Sequence, residues 1–457
     1  MTVLPDEVQD FFDNINDSTK NKEAYGEVFT PFDIVDKMIS KIPYTTLNNC
    51  ELRWLDTSVG VGHIIVKVYY KLLEYLSLSS NFKSEKEASK HIIEKMLFMT
   101  EINPESCQKV EQLFKIINPN AKPNIIECNF LECNDVNNID VIIMNPPYNS
   151  GGTKCNGQKN LYVNFAFKAM EILKPNGYYL AIHPSTYRIN DYKPRGTKLD
   201  INKLYNSYNI MDISMFTVWQ TYELMKVQIN TDIILINKSN IEHNTLIEDI
   251  YGKYHYYKVE KNKIIPNFGF GIINKLIKSV NRYGSLRNLV YHTSEIHHEA
   301  WKKGKIQEGE YKIIHLLKKN ENKVYYSNKK HTHQNTPKII INGLGNKYVF
   351  FDKVGEYGVT DSPYIILSDS ENIYKLLKSR LFIFVVNSLG ILGNNLKPFI
   401  FDYLPNVNNF RIQKEFNNDD DLLKMIGFSV EERKQILDFT NNNVQNLKLK
   451  DRMKREK

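Results

Sequence analysis

Residues Asn145-Pro146-Pro147-Tyr148 follow directly on an apolar, β-branched run, Ile139-Asp140-Val141-Ile142-Ile143-Met144. Such a run, bounded by turn residues, reads as a buried parallel strand. The two prolines have no N–H to donate and a fixed φ, so the chain must leave the strand end stiffly. That presents the Asn145 amide, the Pro146 carbonyl and the Tyr148 ring at the carboxyl edge of a sheet, where open α/β folds bind ligands. Two acceptor oxygens can take both hydrogens of an exocyclic amine, and the ring offers a stacking face. The group therefore suits a planar base that carries an amine. A tight turn after a core strand is the plainer alternative, and the motifs around it decide between the two.

Four further stretches precede this one. Gly26-Glu27-Val28-Phe29-Thr30-Pro31 leads into Phe32, Ile34, Val35, Met38 and Ile39 at helical spacing. Thr30 is expected to cap that helix and Pro31 to open it, leaving free N–H groups for a carboxylate. Arg53-Trp54-Leu55-Asp56 runs into Thr57-Ser58-Val59-Gly60-Val61-Gly62-His63 and then a helical stretch from Ile64 to Leu76. Strand, glycine loop and helix open a doubly wound nucleotide-binding sheet, and Gly60 and Gly62 permit close backbone approach. The third glycine of the dinucleotide fingerprint is missing, and Asp56 favours a cationic ligand group over a pyrophosphate. Glu101, closing the strand Met96 to Glu101, is the expected ribose-hydroxyl acceptor. Asn129-Phe130, after a third strand from Pro123 to Cys128, offers an amide and a ring to a purine.

These residues need a parallel sheet to bring them to one edge. The fourth strand is the run before Asn145, and Gly151-Gly152 and the polar residues to Lys159 read as a lid loop. A helix from Tyr162 to Leu173, the turn Lys174-Pro175-Asn176-Gly177 and a strand from Tyr178 to His183 follow. Met211 to Met215 and Val227 to Asn237 read as a closing antiparallel pair, which ends the sheet near Lys238. Residues 6–20 read as a short polar helix and connector.

In this order the motifs resemble the gamma class of N6-adenine DNA methyltransferases, the type found in Taq-like and type IIG restriction–modification systems. The likeness covers the chain to about residue 238. It implies an α/β fold: a Rossmann-like S-adenosylmethionine-dependent methyltransferase domain over residues 1–238, with a C-terminal α+β target-recognition domain over residues 239–457. S-adenosylmethionine would be the cofactor. Thr30 and Pro31 would meet its methionine moiety, and Asp56, Gly60 and Gly62 would line its pocket. Glu101 would bind its ribose, and Asn129 with Phe130 its adenine. Asn145, Pro146, Pro147 and Tyr148 would hold an adenine flipped out of double-stranded DNA, with Phe216 a candidate for its second face. Two positions depart from the family pattern, Thr57 where proline is common and Asn129 where aspartate is common.

Beyond Ile241 the chain is rich in Lys, Asn and Tyr. Trp301-Lys302-Lys303-Gly304-Lys305, Lys318-Lys319, Tyr325-Tyr326 and Lys329-Lys330 interleave bases with aromatics, as phosphate-contacting surfaces do. Strands are expected over 338–342, 348–351 and 364–367, and one helix from Ile373 to about Asn387. The histidines His292, His297, His298, His331 and His333 match no zinc spacing, so no metal is expected. Tail residues 448–457, alternating in charge, read as a frayed helix end.

In 457 residues there is material for two domains, and 42% hydrophobic with 25% charged residues is an ordinary soluble composition. A net charge of +8 is compatible with a polyanionic partner. Five cysteines without Cys-x-x-Cys spacing argue against a disulfide framework or a zinc site and fit a reducing compartment. No apolar run is long enough to cross a bilayer, and no secretory signal is visible. The expectation is a cytoplasmic monomer on double-stranded DNA, with any restriction endonuclease on a separate chain. Two alternatives stay open: a protein glutamine (or RNA) methyltransferase, and a DNA-binding homologue whose active site has decayed.

Overall fold

The computed structural model describes residues 3–15, 29–78, 80–149, 160–189, 198–241, 244–260, 263–292, 295–296, 309–319, 322–344, 347–391, 396–410 and 416–439. By contact the chain forms two compact units, Met1–Ile265 and Pro266–Lys457.

The first unit is built on nine strands: β1 (Trp54–Asp56), β2 (Leu97–Glu101), β3 (Asn124–Glu127), β4 (Ile139–Met144), β5 (Leu173–Pro184), β6 (Asn209–Phe216), β7 (Thr231–Asn237), β8 (Thr245–Glu248) and β9 (Tyr254–Tyr257). Their order in the sheet is β3-β2-β1-β4-β5-β7-β6-β8-β9. From β3 across to β5 all neighbours are parallel. β7 is antiparallel to both β5 and β6. The chain runs outward from β1 to β3 and then crosses to β4 on the other side. That reversal opens a crevice at the carboxyl ends of β1 and β4, the place where doubly wound sheets bind ligands. Asp56, Glu101 and Asn145 all stand at this edge.

Both faces of β1 and β4 are covered, which is why their sequences are apolar at every position except Asp56 and Asp140. On one face Trp54, Val141 and Ile143 pack against Val35 and Met38 of the helix Phe32–Ile39 and against Ile65, Val68 and Leu72 of the helix His63–Leu76. The latter begins straight after Gly62, whose φ of 99° and close approach to Leu113 (a Cβ there would lie 2.8 Å from its Cδ2) exclude a larger residue. The short N-terminal helix expected at the start of residues 6–20 spans Asp6–Asp13; residues 16–28 lie outside the described residues.

The closing strands β6 and β7 are antiparallel as expected, though the helix Val218–Met225 joins them. The sheet does not end near Lys238. β8 pairs parallel to β6 and β9 antiparallel to β8. Ile247 is fully buried, and the Thr245 hydroxyl donates to the Ile210 carbonyl at 2.7 Å. Two short strands thus move the end of this unit to Ile265, past the expected boundary at 238.

The second unit holds two sheets, β10-β16-β13-β14 and β12-β11-β15. The strands are β10 (Val290–Tyr291), β11 (Tyr311–Leu316), β12 (Lys323–Ser327), β13 (Lys338–Asn342), β14 (Val349–Asp352), β15 (Gly358–Val359) and β16 (Pro363–Ile366). Ile314, Ile340, Val359 and Ile365 share its apolar cluster, and Lys338 pairs with Asp352 at 2.7 Å, both buried. The single helix expected from Ile373 is two, Glu371–Lys378 and Arg380–Ser388. Ser379 between them is extended (φ −70°, ψ 161°), and its hydroxyl caps the second helix by accepting from Phe382 N at 3.3 Å. His331 is buried, and His292 bonds the Asp361 carbonyl at 2.9 Å. Among the described residues no group of three metal-ligating side chains exists. Nor is any helix there long and apolar enough to cross a membrane. His297, His298, Trp301 to Lys305 and the tail from 448 lie outside the described residues.

Candidate active site

Asp56 ends β1 fully buried. One carboxylate oxygen accepts from Ser58 N at 3.2 Å, and Oδ2 is buried without a hydrogen-bond partner among the described residues. Burial pushes its pKa up to about 7, and the nearby Glu101 charge adds to the rise. Glu101, at the end of β2, turns back onto the glycine loop: Oε2 accepts from Gly60 N at 2.9 Å, and Oε1 from Ile102 N and Asn103 N, each at 2.9 Å. A carboxylate has about four lone-pair sites, so it retains capacity for a ribose hydroxyl.

The glycine loop is also tied to the end of β4. Thr57 Oγ1 donates to Met144 Sδ at 3.2 Å and Ser58 Oγ to the Asn145 carbonyl at 3.4 Å. The Thr57 hydroxyl thus reaches the residue just before Asn145. Nothing in the sequence pattern signals these two ties.

Asn145 is half-buried and Pro146 buried. The Asn145 side-chain amide donates from Nδ2 to Thr30 Oγ1 at 3.0 Å. This corrects the expectation for Thr30. The helix begins at Phe32 with Pro31 as its N-cap and no side-chain cap bond, because the Thr30 hydroxyl meets Asn145 instead. Tyr148 is half-exposed as a residue, but its hydroxyl is buried with no partner among the described residues, and burial pushes its pKa up. Leu161 N donates to the Tyr148 carbonyl at 3.0 Å, and an Asn149–Asn160 bridge closes the base of the expected lid. The lid itself, 150–159, lies outside the described residues, as do Gly26, Glu27 and Val28.

Asn129 follows β3, with Oδ1 accepting from Leu131 N at 3.2 Å within its own turn. Phe130 is 3% exposed and packs on Phe165, ring centroids 5.2 Å apart. Phe216 ends β6, with β5 and β7 between its strand and β4. It lies in the apolar cluster under the sheet at 8% exposure, with Lys37 Nζ 5.2 Å from its ring centroid. As placed, it packs as core rather than offering an open face to a base.

The residues present fit S-adenosylmethionine. An unpartnered, buried carboxylate oxygen on Asp56 matches an α-ammonium. Gly60, at φ 54°, and Glu101 flank it, and the Asn145 turn stands on the next strand.

Residues 66–222 match the family described as the Eco57I restriction-modification methylase. No curated protein sequence matches. Among solved structures, similar chains include the type IIL restriction-modification enzyme MmeI in complex with DNA (15% identity over 93% of this chain and 73% of that one, TM-score 0.48). They also include the type IIG restriction endonuclease BpuSI (11% identity, 92% and 62%, TM-score 0.41) and the type I restriction enzyme EcoKI M protein (14%, 52% and 49%, TM-score 0.38). The chain spans less than two thirds of the BpuSI chain and about half of the EcoKI subunit. Over residues 66–222, which carry Glu101, Asn129 and the Asn145 to Tyr148 turn, the chain is thus similar to the Eco57I restriction-modification methylases, in keeping with the resemblance drawn from its motifs.

Proposed function

We propose that this protein methylates the N6 amine of adenine in double-stranded DNA, with S-adenosylmethionine as the donor. The observation that carries the reading is the Asn145 amide, held by Thr30 at the end of β4 and followed at once by Pro146, Pro147 and Tyr148. Bound S-adenosylmethionine supplies an electrophilic methyl group on a sulfonium. The protein's part is to place the amine. Adenine N6 is a weak nucleophile because its lone pair is delocalised into the ring. The Asn145 side-chain oxygen and the Pro146 carbonyl, by accepting both hydrogens, favour a pyramidal nitrogen whose lone pair faces the methyl. Tyr148 stacks on a base that has left the duplex. Asp56 and Glu101 hold the donor. Positioning and fixed dipoles do the work, without a strong base.

The second unit is the proposed target-recognition part. On β12, Lys323 is exposed with its Nζ 5.1 Å from the Tyr325 centroid, and Tyr326 is 43% exposed. Such a strand suits phosphates and sugars. The protein acts as a monomer, and any nuclease is a separate partner. Tritium-labelled S-adenosylmethionine offered with plasmid and with a mixture of proteins tests the reading. Label in N6-methyladenine from digested plasmid supports it. Label on glutamine in protein moves the activity to protein glutamine methylation, and label on neither supports a decayed homologue.

A further inference from the structure

The helix Asp6–Asp13 is tied to the glycine loop in two places. Leu4, Val8 and Phe12 share one apolar cluster with Val61, Val66 and Leu113, and none of the six is more than 9% exposed. Val61 lies between Gly60, whose N–H is held by Glu101, and Gly62, which abuts Leu113. The N-terminal segment therefore packs with the middle residue of the loop and with the side chain against which the loop's second glycine rests. The second tie runs through His63, the residue after Gly62. Its ring centroid lies 4.7 Å from that of Phe12, 5.0 Å from that of Phe29 and 5.3 Å from that of Phe32. Three apolar side chains hold a helix of eight residues here, and so short a helix has little stability of its own. Their burial is set against the cost of ordering the backbone, so the helix undocks at far lower free energy than the sheet unfolds.

On the reading that Gly60 and Glu101 hold the donor, we propose that the N-terminal helix is a strap on the glycine loop, with Phe12 as the positioning residue. Docked, it seats Val61 and so fixes the Gly60 N–H and the Glu101 carboxylate that accepts from it. Undocked, it opens Val61 and Leu113 to water, and the loop loses the surface on which it rests. The donor then binds the docked form more tightly than the undocked one. Coupling is reciprocal: the factor by which docking raises donor affinity is the factor by which the donor favours docking.

Hydrogen exchange on the whole protein, with and without saturating S-adenosylmethionine, tests this. Amides of residues 8–13 should exchange about tenfold more slowly with the donor bound. The helix Glu85–His91, of similar length but outside this cluster, should keep its rate, which separates the strap from a general gain in stability. In calorimetry Phe12→Ala should bind the donor about tenfold more weakly, and Phe12→Leu, which keeps an apolar side chain in place, should recover most of the loss. The exchange comparison needs no variant, so it decides the matter even where Phe12→Ala does not fold. No slowing at residues 8–13, the same slowing at both helices, or a folded Phe12→Ala protein with the parent's donor affinity overturns the strap. Glu101→Gln with the parent's donor affinity overturns instead the reading of the donor site on which the strap rests.

Discussion

Raising the pH from about 6 to about 7.5 should tighten S-adenosylmethionine binding about eightfold, through one carboxyl group. Burial holds the Asp56 pKa at about 7. Roughly a tenth of the molecules then carry the charged form at pH 6 and about three quarters at pH 7.5, and only that form pairs with an ammonium. Each pH unit below the pKa corresponds to about 1.4 kcal/mol, or about tenfold in Kd. Above about pH 8 the donor's own α-amine loses its proton and affinity should fall again. Calorimetry in two buffers of different ionisation enthalpy reads the same event directly, with nearly one proton released per donor bound at about pH 6 and few at about pH 8. The sign for the donor-free protein is opposite. A carboxyl whose folded pKa is raised contributes stability below the unfolded value, lost as pH rises through about 7, so Tm should fall across that range. Asp56→Asn should flatten both profiles and weaken binding by about tenfold to a hundredfold. A Kd that does not change between about pH 6 and 7.5, with no proton released, refutes the assignment of Asp56 to the donor's ammonium.

Other outcomes follow from neighbouring groups. Asn129 already spends its side-chain oxygen on Leu131 N, so Asn129→Asp, which adds a charge and a second acceptor, should strengthen donor binding by about tenfold or less in calorimetry. Arg188 and Asp232 lie buried with Nε and Oδ2 2.9 Å apart. Arg188→Met should cost about 3–5 kcal/mol by chemical denaturation, because it strands a buried carboxylate. Desolvation already raises the Asp232 pKa, so the loss should be smaller at low pH, where that group is neutral, and Arg188→Met with Asp232→Asn should recover part of it.

The sequence made the site's strands legible because each is short and closed by a distinctive turn, and β1, β2 and β4 are mostly buried. The strand expected over Ile139 to Met144 has those bounds, and those expected to end at Glu101 and at Cys128 differ from the observed ones by at most one residue at either end. What it hid were contacts made by ordinary polar residues across long separations. Thr30 before Pro31 fits a helix cap locally, and only the fold reveals a stronger claim on its hydroxyl, the Asn145 amide. The same holds for Thr57 and Met144. The unit boundary slipped because β8 and β9 are only four residues each, and Tyr254 to Tyr257, with two exposed tyrosines, has the composition of the region that follows. Ser379 broke a helix that apolar periodicity alone ran straight through.

The most direct test is transfer of labelled methyl from S-adenosylmethionine to plasmid adenine by the parent and by Asn145→Ala. N6-methyladenine from the parent, with a rate lower by about 10²–10³ in the variant and only a modest fall in Tm as the Thr30 hydroxyl loses the Asn145 amide, would support the proposed reading. Equal rates in parent and variant would contradict it.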